Sequence, residues 1–171
     1  MRPPRLLAIA ALLPIAFPAA AQAAPVAASK DSAGRATLLK SLSVLKRTDL
    51  DFGELAVAGA GTAVIDPASG SLTTTGGVTQ IGSGAHAALF TGTGSRNSVV
   101  NIRIPKNPIT LTRVGGTETM TVSNWTLDGN TNRKVPPSQA FDFAVGGTLN
   151  VAAGQAQGDY VGTFTVTIQY P

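Results

Sequence analysis

Apolar residues in this chain recur at every second position, and no segment carries a sustained helical period. In SVVNIRI, Val100, Ile102 and Ile104 alternate with Asn101 and Arg103. In the closing stretch GDYVGTFTVTIQYP, one face carries Gly158, Tyr160, Gly162, Phe164, Val166, Ile168 and Tyr170. The other carries Asp159, Val161, Thr163, Thr165, Thr167 and Gln169. A period of two sends successive side chains to opposite faces of an extended strand, so each run buries one face and wets the other.

Similar short runs fill the middle of the chain. Ser41 to Val44 alternates, and Leu50 and Phe52 share a face until Gly53 breaks or bulges the strand. Thr62 to Ile65 ends at Asp66-Pro67, and Ser71 to Thr75 and Val78 to Ile81 flank Gly76-Gly77. His86 to Thr91 follows. Ile109 to Val114 and Thr117 to Leu127 are set to pair across Gly115-Gly116. Asp128 to Gln139 reads as a loop. Ala140 to Val145 and Thr148 to Val151 lie either side of Gly146-Gly147, a turn or bulge. About seven to nine strands at this spacing predict an all-β, antiparallel β-sandwich.

The first residues have a different layout. Arg2 and Arg5 precede the apolar run Leu6 to Phe17, and Ala21-Gln22-Ala23 is a small-x-small cleavage site. This is the pattern of a secretory signal peptide, cut after Ala23. The run is too short for a membrane span, and no later one is longer. The predicted organisation is a signal peptide over 1–23, a flexible N-terminal extension over 24–40 and a β-sandwich over 41–171. The mature chain is expected to be exported, without a transmembrane segment.

Composition removes several functions. Without Arg2 and Arg5, 11 basic side chains face 9 acidic ones, a formal charge of +2, with no stripe of Lys and Arg interleaved with aromatics. That gives no footprint for nucleic acid. There is no cysteine, so neither a disulfide nor thiol chemistry is available. His86 is the only histidine and has no Cys or His to join it in a metal site. Asp49, Asp51 and Glu54 lack the spacing of a calcium loop, and Asp49 and Asp51 read as the solvent face of a strand. Gly82 to Ala87 matches G-x-G-x-x-A, but a strand follows where a dinucleotide site needs a helix. Asn124-Trp125-Thr126 fits a glycosylation sequon, and Trp125 reads as core, with a carbohydrate platform as the alternative. The chain is expected to be no enzyme and to use no cofactor or metal.

The two ends carry the remaining signal. Gly158 is fourteenth from the last residue and Tyr170 is penultimate, an even separation that puts both on one face. This resembles the C-terminal strand of chaperone–usher pilins. DLDFGEL (Asp49 to Leu55), ALFTGTG (Ala88 to Gly94), FAVGGTLNV (Phe143 to Val151) and the closing strand resemble a "domain of unknown function" family of secreted bacterial β-sandwich proteins. That family is akin to those pilins and to spore coat protein U. The resemblance implies an immunoglobulin-like fold lacking one strand, with an assembly groove along Gly158, Tyr160, Gly162, Phe164, Val166, Ile168 and Tyr170. It implies a pilin-like subunit of a surface fibre or coat, partnered by copies of itself or related subunits, a periplasmic chaperone and an outer-membrane usher. Its place would be the periplasm, then the cell surface or fimbrium. Many pilins carry a disulfide that this chain lacks. Donor-strand candidates are Val26, Ala28, Ala36 and Leu38, in a register interrupted by Lys30, Ser32 and Gly34. Donation in trans, folding back in cis and a disordered leader remain three readings of the extension. A monomeric secreted binding module for glycans or surfaces is the alternative function.

Overall fold

The computed structural model describes residues 35–171. The predicted signal peptide and residues 24–34, with Val26 and Ala28, lie outside the described residues. Eleven strands follow in order: β1 (Ser43–Thr48), β2 (Leu55–Ile65), β3 (Leu72–Gln80), β4 (Ala88–Thr93), β5 (Val99–Arg103), β6 (Ile109–Arg113), β7 (Thr119–Leu127), β8 (Asn132–Lys134), β9 (Ala140–Val151), β10 (Tyr160–Val161) and β11 (Thr167–Gln169). There is no helix among the described residues. Every strand pairing is antiparallel. The fold is therefore the all-β antiparallel sandwich that the alternation predicts.

The larger sheet runs β1-β4-β9-β7-β6-β10, with β2 added to β9 and β3 to β2; the smaller sheet runs β11-β5-β8. β9 is the hub. Its first half, Ala140–Val145, pairs with β4, and its second half, Gly147–Val151, pairs with β2. β7 pairs along its other edge. Gly146-Gly147 marks the handover between β4 and β2. A Cβ on Gly146 would run into the carbonyl of Ile65, so the close approach of β2 requires glycine there. The pair is not a turn, since β9 continues through it; a bulge does lie here, but on the facing strand, where Asn124 and Trp125 of β7 stand opposite Gly147 and the β7–β9 register shifts.

Two clusters make the core. One gathers Phe52, Ala63, Ile65, Val78, Val122, Leu149 and Val151. The other gathers Ala88, Phe90, Ile102, Phe143 and Val145. Phe143 stacks on Phe90 with ring centroids 5.3 Å apart. Trp125 packs against both clusters, as its core reading predicts.

Two further expectations need correction. Gly76-Gly77 does not separate two strands; both lie inside β3, Gly76 opposite Gly61 and Gly77 against Gly59, where the β2–β3 register shifts. A Cβ on Gly77 would collide with Gly59, so glycines on both strands let the two backbones nest. The loop Asp128 to Gln139 contains β8, which pairs with β5 through Val99↔Lys134, Val100↔Arg133 and Asn101↔Asn132. Arg133 anchors it. Its guanidinium pairs with Asp128, donates to the carbonyls of Asn130 (3.1 Å) and Asp142 (3.2 Å), and lies 6.0 Å from the Phe143 ring centroid.

Candidate functional site

The closing strand is two strands. Tyr160 and Val161 form β10 and pair with Arg113 and Thr112 of β6, in the larger sheet. Thr167, Ile168 and Gln169 form β11 and pair with Arg103, Ile102 and Asn101 of β5, in the smaller sheet. Between them, Gly162 to Val166 crosses from one sheet to the other. This crossing has no ladder partner and makes no backbone hydrogen bond among the described residues. Its side chains nevertheless keep the alternation. Phe164, Val166, Ile168 and Tyr170 are half-buried, while Thr163, Thr165, Thr167 and Gln169 are exposed.

The apolar side chains of this segment rest on the second core cluster. Phe164 packs edge-on against Phe90, centroids 6.3 Å apart, and against Trp125 at 4.7 Å. Val166 and Ile168 join the same cluster, with half-buried Val44, Leu50 and Ile104 around it. In a closed sandwich such residues would be covered. Here β11 has β5 on one edge only, and β1 has β4 on one edge only. A recess of about 340 Å³ opens beside the crossing, lined by Pro105, Lys106, Pro108, Ile109 and Phe164 among others.

The remaining predicted groove residues do not share this place. Gly158 precedes β10 in a bend with φ of +140°, a backbone conformation that favours glycine. A Cβ there would also crowd Arg113, 3.1 Å from its Cδ. Gly162 makes room for the domain's own β6, because a Cβ would meet the Thr110 carbonyl at 2.6 Å. The Tyr160 hydroxyl accepts from Gln155 Nε2 and donates to the Ala156 carbonyl, each at 2.7 Å. The structure thus brings Phe164, Val166, Ile168 and Tyr170 to one open edge, and puts Gly158, Tyr160 and Gly162 against β6. Of the donor candidates within the described residues, Ala36 and Leu38 are exposed and lie in no strand.

Electrostatics near β10 centre on Arg113. It donates to Glu118 from Nε at 2.7 Å and from a terminal nitrogen at 3.1 Å, and reaches the Gln157 carbonyl at 3.2 Å. The hydrogen bond from Arg113 holds the Glu118 carboxyl below its ordinary pKa and raises that of the guanidinium in turn. Asp66 is lowered by its hydrogen bond from the Ser69 hydroxyl, which closes the turn after β2.

The other candidate groups are spread out. His86 is exposed and its backbone bridges Asp51. Asp49 pairs with Lys46, and Asp51 accepts the Gly53 N–H at 2.8 Å. The indole N–H of Trp125 is bonded to the Asn107 carbonyl at 3.1 Å, and its ring lies on Phe164. Among the described residues, no three His, Asp or Glu side chains gather where a metal could bind. No helix among them is long and apolar enough to cross a membrane.

Fold and edge define an antiparallel β-sandwich whose closing strand is incompletely paired. Residues 42–170 match a protein family described as Domain of unknown function (DUF4402), and the chain belongs to that family. No curated protein and no solved structure matches the chain.

Proposed function

We propose that this chain is a pilin-like structural subunit of a bacterial surface fibre or coat, exported and assembled by strand donation between copies. The observation that carries the reading is the crossing segment Gly162 to Val166. Its apolar side chains are seated on the core while its backbone lacks any ladder. An incoming strand would supply the missing hydrogen bonds and cover the half-buried residues together, as in β-augmentation. Burying four or five large aliphatic donor side chains would supply roughly 6–12 kcal/mol of gross apolar stabilisation, of which Val26 and Leu38 would account for about 3–6 kcal/mol. A head-to-tail contact of this kind does not close, so repetition makes a filament. A periplasmic chaperone would cover the same edge before assembly, and an outer-membrane usher would serve export of the fibre.

The alternative is a monomeric binding module. The recess at Pro105 to Ile109 and Phe164 favours it, as a place for a ligand group beside the same edge.

The test compares the mature chain with a form lacking residues 24–36, which keeps Lys40 and its contacts. Peptides from the extension are added to the shortened form. Strand donation predicts that the shortened form stops polymerising and that a peptide raises its Tm. Thr165→Pro removes an N–H that makes no bond in the free domain. It should leave the free domain's Tm within a few degrees, roughly the scale of a 1 kcal/mol change, and abolish the peptide's effect. An unchanged monomer that ignores every extension peptide would sink the proposal.

A further inference from the structure

We propose that the Tyr170 hydroxyl is a latch that locks the root of the N-terminal segment, Thr37 to Leu42, onto the end of the sandwich. The phenol accepts the Ser95 N–H at 2.8 Å and donates to the Lys40 carbonyl at 2.7 Å. Lys40 is held a second time, because its N–H donates to the Ser95 hydroxyl at 2.5 Å. Its ammonium reaches Gln139 Oε1 at 3.2 Å. Both backbone polar groups of Lys40 are therefore satisfied by two residues of the sandwich end, and no ladder is involved. Gly94 makes the space: a Cβ there would lie 2.8 Å from Leu42 Cδ2 and 3.2 Å from the Tyr170 hydroxyl oxygen.

Apolar burial does little to fasten this segment. Leu38 is 95% exposed and Leu39 49% exposed. The hydrogen bonds around Lys40 are then the main restraint, with half-buried Leu42 as the only large apolar side chain tucked inward. Removing one hydroxyl should free the root while leaving the sandwich closed. That couples the two chain ends: a shift of the last strand at Tyr170 releases the segment that precedes β1, and the reverse.

The latch stands without any assembly. Its second consequence rests on the reading above: a strand added along β11 ends at Tyr170, so the latch sets where that strand must stop.

The test is limited trypsin digestion of the full chain, since the bond after Lys40 contains the latched carbonyl. Tyr170→Phe keeps the ring and removes the hydroxyl. Cutting after Lys40 should rise roughly 3- to 10-fold, the equivalent of one lost hydrogen bond, with cutting after Arg103 and Lys106 unchanged. Ser95→Ala, which leaves Tyr170 intact and removes the acceptor of the Lys40 N–H, should give the same selective rise. It also carries the test if Tyr170→Phe folds poorly. Unchanged cutting after Lys40 in both variants overturns the latch, as does an equal rise at all three sites. No donor peptide is used, so failure here is separate from failure of strand donation.

Discussion

Phe143 shows how much one side chain can hold. It is fully buried, stacked on Phe90, 6.0 Å from Phe141 and beneath the Arg133 guanidinium. Phe143→Ala leaves a cavity between the two sheets and should lower stability by about 3–5 kcal/mol, measured by urea unfolding with tryptophan fluorescence. The alternation in AFDFAV places Phe141 and Phe143 on one face from sequence alone, and both join the second cluster. Glycines were less readable. Gly158 and Gly162 share the apolar face by spacing, yet one serves a bend at positive φ and the other yields to the Thr110 carbonyl. A period of two says which face a residue takes; it does not say which strand lies beside it. Gly158→Leu consequently acts first on folding of the domain, through its backbone conformation.

At the scale of elements, the β6–β7 hairpin is tied by one exposed ion pair. The hydrogen bond from Arg113 depresses the Glu118 pKa in the folded chain. A carboxyl with a depressed folded pKa contributes stability that is full above its unfolded value, about 4.3 for glutamate. That contribution is lost as the pH falls through the lower folded value. Glu118→Gln should remove this part of the acid dependence below about pH 5 and leave the neutral-pH exchange of the hairpin nearly as it was. Hydrogen exchange of the β6–β7 amides across pH 3–6 checks it, taking that window from the same unfolded value, roughly 4.3. The pairing of these strands was legible because both alternate and two glycines join them. β8 was hidden: Asn132 to Lys134 is too short to show a period, and its place depends on Arg133 reaching Asp128 across the loop. The division of the closing strand was hidden too. Its alternation continues unbroken through a segment whose neighbours change from β6 to β5.

For the whole molecule, the sheet order does not follow the chain. β9 begins at Ala140 yet lies between β7 on one edge and β4 and β2 on the other. Sequence reading could find the strands but not this arrangement, because pairings between distant segments leave no local mark. A chain ending at Gln139 keeps every residue of β1 to β8 and should show no cooperative unfolding transition, measured by circular dichroism against temperature; a sharp transition would contradict the central role of β9. Synthesis from the N-terminus therefore delivers the keystone late. Until residue 145 has emerged β4 has no strand to join on its β9 side, and until residue 151 has emerged neither has β2, so only the β2–β3 and β6–β7 hairpins and a few short pairings can form ahead of β9. Long-range pairings of this kind close slowly. Until β9 arrives, the two hairpins stand with their β9-facing edges unpaired, and each edge is a template on which another strand could add.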